Sequence, residues 1–410
     1  MARLVAQAMS LVLILVLSVY ASAAPRKTAG AHFENDAGRI LLDVQIETPS
    51  GLRTALAWFN MGMAKPIVTE ALAREISLNE TGALVVRVAG QTLAAPSIEV
   101  TVGDDGFGHP SFAHLFAPRL VELMLPASML RDYILTLDYP AQVFALRAPE
   151  TVRPKGVAIP LAIHPQTGLA AIAADIGGRR ENFVIDAGAG YSWMRGDLGD
   201  ALLQDDPSLL RATGAVGQSN SNMVDFDLEK RGRLMRAPLV LVGTDARLEL
   251  GAVGFLATAP LLGAFAEKFT GNIFWGGFAR AAPTIDGEPV AGWLGANALQ
   301  PFVITIDYPN AVSYWRRVAP ALRGENDQPA LTIVRRQGDY LIGGFAHDNA
   351  LDGNIVIGDC IESVDGVRVP GLSRGAVLDL LHGVPGAPKR LVLDRHGARY
   401  EIQAPVASFD

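Results

Sequence analysis

Residues 125–140 read LPASMLRDYILTLDYP, and residues 294–309 read LGANALQPFVITIDYP. Aligned without gaps at an offset of 169 residues, 7 of the 16 positions are identical, and most of the others exchange like for like. Val143 and Arg147 match Val312 and Arg316 just beyond. Each copy predicts a short helical turn, then a β-rich strand (Tyr133-Ile134-Leu135-Thr136-Leu137 or Phe302-Val303-Ile304-Thr305-Ile306), then a stop at Asp138-Tyr139-Pro140 or Asp307-Tyr308-Pro309. The chain therefore carries two copies of one unit.

The pattern extends upstream. Leu56-Ala57-Trp58-Phe59-Asn60-Met61-Gly62-Met63 precedes the first copy, and Phe183-Val184-Ile185-Asp186-Ala187-Gly188-Ala189-Gly190 precedes the second. Both are apolar strands that run into a polar residue, a small or bendable one and a glycine. An earlier strand is expected in each, at 40–46 and 169–176, followed by turn residues at 48–51 and 177–180. Around the pivot only Gly62 and Gly188 are identical, so this part of the match rests on pattern.

These residues resemble the bilobal pepsin and retropepsin-like aspartic peptidases, in which a strand ends in Asp-Thr/Ser-Gly and an apolar-Gly turn and strand follow about 110 residues later. Asp186-Ala187-Gly188-Ala189 is similar to the Asp-Thr-Gly-Ala signature, and Leu294-Gly295 to the turn beneath the active-site loop. Residues 299–308 are similar to the end of such lobes in bacterial members. The resemblance covers roughly residues 36–318 and implies two β-barrel lobes facing a cleft, with Asn60 and Asp186 opposite each other at its floor.

In such a site two close carboxylates share one proton; the ionised one activates water and the neutral one polarises the scissile carbonyl. This chain departs from that pattern. Asn60-Met61-Gly62 stands where Asp-Thr-Gly belongs, Met61 and Ala187 lack the hydroxyl that pins the loops together, and Pro126 replaces the first turn glycine. Asp186 is then a catalytic carboxylate with Asn60 as its degenerate partner, and Gly62, Ala187, Gly188, Ala189 and Gly295 form the active-site loops. A lone exposed Asp186 is expected to titrate near the ordinary value of about 4. Asp36-Ala37-Gly38 repeats the tripeptide of the second lobe, but it follows no apolar strand and reads as a chance match in an N-terminal turn.

The C-terminal part is a different unit. Residues 324–329, Gly-Glu-Asn-Asp-Gln-Pro, read as a linker. Ile357-Gly358-Asp359-Cys360-Ile361-Glu362-Ser363-Val364-Asp365-Gly366 resembles the core of a PDZ domain, covering about 328–408. Bacterial retropepsin-like proteins often carry this module. It implies either that a peptide strand is added to the sheet edge or that the module only packs against the second lobe. Tyr340, Leu341, Ile342, Gly343, Gly344 and Phe345 are expected to form its carboxylate-binding loop. Gly371-Leu372-Ser373-Arg374-Gly375 fits a nucleophile-elbow pattern, but no buried strand precedes it, and Ser373 reads as the N-cap of a helix.

The 410 residues are 50% hydrophobic and 19% charged, a globular composition with much core. A net charge of −7 argues against a nucleic-acid partner. The single Cys360 excludes an intramolecular disulfide, an iron–sulfur cluster and a Cys-based structural zinc site. The seven histidines have no metal spacing, and no phosphate loop or dinucleotide fingerprint is present, so no cofactor or metal is expected. Arg3, the apolar run 11–19 and Ala21-Ser22-Ala23 read as a signal peptide and not a membrane anchor. The protein is then secreted, and periplasmic in a Gram-negative host. Residues 250–266 are uncharged but carry Gly251, Gly254, Pro260 and Gly263, and read as buried strands or an apolar lid.

The expected organisation is mainly β: signal peptide 1–23, first lobe 24–150, second lobe 151–318, and linker with PDZ-like domain 319–410. The expected partners are peptide or protein segments. The expected function is binding of extended peptides without efficient cleavage; the alternative is an active aspartic endopeptidase using Asp186.

Overall fold

The computed structural model describes residues 30–103, 116, 118–149, 154–165, 167–214, 232–257, 290–336, 338–346, 351 and 355–410. The expected leader lies outside them. So do residues 258–266 of the uncharged run, whose first part falls in the strand Arg247–Ala257. Among the described residues no helix is long and apolar enough to cross a membrane.

The chain is mainly β, as expected, and its described strands form three sheets. In the first lobe, Arg39–Thr48 and Gly51–Asn60 make an antiparallel hairpin. The second of these strands pairs in parallel with Leu123–Pro126, setting Asn60 opposite Pro126. The second lobe repeats the arrangement. Ala170–Ile176 and Arg179–Ile185 form the hairpin, and Arg179–Ile185 pairs in parallel with Val290–Leu294, setting Ile185 opposite Leu294. Both pivot strands bury their last four residues, 57–60 and 182–185. Such strands are driven to the centre of a lobe by roughly 1.5–3 kcal/mol for each large apolar side chain buried.

The sixteen-residue repeat lies where the lobes meet. Ile134–Asp138 pairs antiparallel with Phe302–Asp307, with Thr136 opposite Thr305, Asp138 opposite Val303 and Ile134 opposite Asp307. Thr136 and Thr305 are equivalent positions of the repeat, so the contact is self-complementary, as at a twofold interface. Their hydroxyl oxygens lie 3.0 Å apart, with Leu135, Leu137, Ile304 and Ile306 fully buried around them. Thr136→Val leaves the Thr305 hydroxyl, on a residue 5% exposed, without this partner and should lower stability by ~1–3 kcal/mol in urea denaturation. Changing both threonines to Val should be nearly neutral.

The third sheet belongs to the C-terminal unit, in the order Gln328–Pro329, Ala398–Ala407, Pro388–Arg395, Cys360–Val364, Asp339–Phe345, Leu331–Arg336. Its core includes Leu331, Ile333, Tyr340, Ile342, Ile361, Leu378 and Leu391. Asp359, 1% exposed, ties the turn before Cys360–Val364 to the neighbouring strands by accepting from Arg395 Nε at 2.7 Å and from the Val356 N–H at 2.8 Å. The helix Arg374–Leu381 starts at Ser373, whose hydroxyl accepts from the Ala376 N–H at 3.3 Å, as the N-cap reading expected.

Two expectations are corrected here. Tyr340–Phe345 is not a loop: it belongs to the strand Asp339–Phe345, between Leu331–Arg336 and Cys360–Val364. Gly343 marks close strand packing, since a Cβ there would lie 2.5 Å from Val334 Cγ1. The pairing of this strand with Cys360–Val364 is confined to Leu341 opposite Cys360, and the edge strand of the sheet is Leu331–Arg336. The segment 324–327 is not a free linker either. Asn326 is 3% exposed, and Glu325 pairs with the buried Arg236 of the second lobe at 2.8 Å. Tyr191, Ala212 and Leu234 of that lobe share an apolar cluster with Ala330, Ala346 and Phe409.

Candidate active site

The pivots Asn60-Met61-Gly62 and Asp186-Ala187-Gly188 leave the ends of their strands and meet between the lobes. The Gly62 N–H donates to Asp186 Oδ1 at 2.9 Å and to Asn60 Oδ1 at 3.0 Å. The Gly188 N–H donates to the same Asp186 oxygen at 2.8 Å. One backbone N–H thus reaches both side chains. The glycines are required by close approach: a Cβ on Gly62 would overlap the Asp186 carboxylate, and one on Gly188 would overlap the Asn60 carboxamide.

Below the pivots, the Asp186 N–H donates to Leu294 O at 2.9 Å, and the Ala296 N–H donates to Ala189 O at 2.8 Å. Gly295 lies against the Tyr191 backbone, 2.5 Å from a would-be Cβ. Met61 and Ala187, the positions without hydroxyls, are fully buried in the shared apolar core. The loops are joined across the lobes by the Gly62–Asp186 hydrogen bond and by this core.

The residues that sequence reasoning missed are the buried supports. Ser192 donates from its hydroxyl to Asn297 Oδ1 at 2.8 Å and accepts from the Gly295 N–H at 3.0 Å. Asn297 Nδ2 donates to Gly254 O at 2.8 Å. A polar Asn297 inside an otherwise apolar helical turn was the available signal. Asp36 sits in a hairpin turn, as its sequence suggests, but it is 3% exposed and Arg39 4%. Burial raises the Asp36 carboxyl above its ordinary 3.8, against the lowering effect of Arg39, the Gly375 N–H, Ser373 and Arg374.

The expected ordinary titration of Asp186 is also corrected. It is 7% exposed, and burial pushes its carboxyl up to about 6, against the lowering effects of the Gly188, Gly62 and Ala189 N–H groups and of the Arg39 charge. Burial and the charge of Asp186 also raise the phenol of Tyr139, whose hydroxyl has no hydrogen-bond partner among the described residues. Because the folded-state value of Asp186 lies above the unfolded one, folding favours its protonated form. That stabilisation is fully present below about pH 4 and is lost as the pH rises through about 6. From 3.8 to about 6, at ~1.36 kcal/mol per pH unit, the loss is ~3 kcal/mol. Urea denaturation at pH 4 and pH 7 should show this loss in the wild type and a correspondingly flatter profile in Asp186→Asn.

Chemically, the meeting point of the two pivots holds one group that ionises and one that does not. Asp186 can accept a proton or orient a water. Asn60 can donate or accept hydrogen bonds but cannot carry a shared proton. Among the described residues, no cluster of His, Cys, Asp and Glu is arranged to hold a metal ion.

No family model matches the chain, and no curated protein matches it. Solved structures to which it is similar include basic 7S globulin from soybean, at 11% identity and a TM-score of 0.39, covering 71% of this chain and 95% of that one. Another is an aspartic proteinase from Irpex lacteus, at 11% identity and a TM-score of 0.39, covering 70% of this chain and 97% of that one. Overlaps this loose carry no argument about the chemistry, which rests on the residues themselves.

Proposed function

We propose that the chain is a pepsin/retropepsin-like scaffold whose interlobe site has kept one carboxylate, Asp186, and holds extended peptide without efficient cleavage. The observation that carries this reading is the single Gly62 N–H shared by Asn60 Oδ1 and Asp186 Oδ1. It supports two half-sites converging on one reacting position, with an amide in place of one acid. A peptide carbonyl or bound water at that position can be hydrogen-bonded by both groups. Proton transfer to the carbonyl oxygen lacks its donor, because Asn60 has no acidic proton.

Secretion through residues 1–23 and capture of peptides outside the cytoplasm belong to the same reading. The PDZ-like domain adds a second peptide contact in the same reading. The active-endopeptidase alternative draws support from one feature: a carboxyl held at about 6 is well matched to a general base near neutral pH.

The test is capture from a mixed peptide pool by the immobilised full-length protein, with the bound fraction read by mass spectrometry. Intact peptides should be retained by the wild type and lost with Asp186→Ala. Equal retention by both proteins would remove the interlobe site from the account.

A further inference from the structure

The hairpin turn Asp36-Ala37-Gly38-Arg39 is wedged between two bodies far apart in sequence. On one side Gly38, at φ 84°, lies against the Asp186 loop. A Cβ added there would sit 2.7 Å from Ala296 Cβ, 2.9 Å from Gly190 Cα and 3.0 Å from Gly190 O. Ala296 is the residue whose N–H bonds Ala189 O, so the turn presses on the segment that backs the loop.

On the other side Asp36 reaches the helix Arg374–Leu381. Its Oδ1 accepts from the Gly375 N–H and from the Ser373 hydroxyl at 3.3 Å. Gly375 has no room for a side chain: a Cβ would overlap Asp36 Oδ1 and lie 2.8 Å from Ala37 N. Ala37 packs on the core of the C-terminal domain. Arg374, 6% exposed, donates to Ile333 O at 2.9 Å, tying the start of the helix to the edge strand. The second oxygen of Asp36 is buried without a hydrogen-bond partner among the described residues.

We infer that this turn is a positioning strut through which the docked C-terminal domain holds the Asp186 loop in place, Asp36 being its anchor and Gly38 its bearing surface. The inference takes the interlobe floor as the functional centre, but its test needs no activity. Its failure is therefore separate from failure of the peptide-binding reading. Removing a buried acceptor leaves the Gly375 N–H unsatisfied, and enlarging Gly375 pushes Asp36 away; both act on the loop only through the turn. Asp36 touches no reacting atom in this scheme.

Hydrogen exchange on the full chain tests it. Gly375→Ala and Asp36→Ala should speed exchange at the Gly62, Gly188, Ala189 and Ala296 amides by about 5- to 150-fold, the range of ordinary coupling between sites. The paired strands Ala83–Val88 and Gln91–Pro96, on the far side of the first lobe, should keep wild-type rates. Asp36→Asn retains an acceptor oxygen and should preserve most of the loop protection. Coupling is reciprocal, so Ala296→Val, which crowds Gly38 from the lobe side, should speed exchange at Gly375 and Ala376. If one variant loses protection throughout, the other variants decide. Wild-type rates at the four loop amides, together with fast exchange at Gly375 and Ala376, would overturn the inference.

Discussion

Asn60→Asp should bring peptide cleavage to a protein expected to show little or none, with a rate gain of ~10²–10⁴, the usual contribution of one positioned acid or base. The replacement is nearly isosteric, and its position is already set. Asn60 is 5% exposed, its Oδ1 accepts from the Gly62 N–H at 3.0 Å, and Gly188 bounds its other side. A carboxylate there would share the Gly62 N–H with Asp186, and two such groups cannot both ionise, so one proton is held between them. Titration should change from one step to two coupled steps. The absent threonine hydroxyls are no bar, because Met61 and Ala187 are packed in the core and the Gly62–Asp186 bond joins the lobes. Mass spectrometry of a mixed peptide pool measures the gain, and Asp186→Ala in the Asn60→Asp background should abolish it.

The largest loss of stability is expected from Arg236→Ala. Arg236 is 8% exposed, and its Nη1 bonds both oxygens of Glu325 at 2.8 and 2.9 Å and Asp410 Oδ1 at 2.8 Å. Its Nη2 donates to Ala252 O at 3.1 Å and to Leu322 O at 2.7 Å. Without the guanidinium, the Glu325 carboxylate, on a side chain 11% exposed, is left without its counter-charge. Breaking a buried pair from one side costs about 3–5 kcal/mol, whereas replacing both partners by apolar residues of similar volume is often neutral. Urea denaturation should show that drop for Arg236→Ala and much of it regained in Arg236→Met/Glu325→Leu. The same contacts dock the C-terminal unit on the second lobe, so Arg236→Ala should also make residues 324–327 accessible to protease.

How much was legible in the sequence follows from the range of each interaction. The repeat at 125–140 and 294–309 could be read because each copy makes its turn and strand from neighbouring residues, and its twofold pairing uses the same residues again. The pivots could be read because a strand that ends in a polar residue and a glycine is a local pattern. Asp36 could not: its partner Gly375 lies 339 residues away, and an aspartate in a tight turn looks the same with or without one. The raised value of Asp186 was hidden for a similar reason, since both lobes must close over it before burial outweighs its N–H donors. Tyr340–Phe345 misleads because its adjacent glycines look like a loop; only the close approach of Val334, which pairs with Leu341, reveals that Gly343 makes room at an irregularity between two strands. The linker reading failed on composition, because Gly324 to Pro329 has turn-forming residues, while its anchor, Arg236, comes from a distant strand.

The most direct test is peptide turnover by the unaltered protein across pH 3–8, read by mass spectrometry beside Asp186→Ala and Asn60→Ala. Negligible cleavage by all three is expected, because Asn60, which shares the Gly62 N–H with Asp186, has no acidic proton to give to the carbonyl oxygen. Efficient cleavage by the wild type that is abolished by Asp186→Ala and untouched by Asn60→Ala would contradict it, and would mean that Asp186 works with a partner other than Asn60.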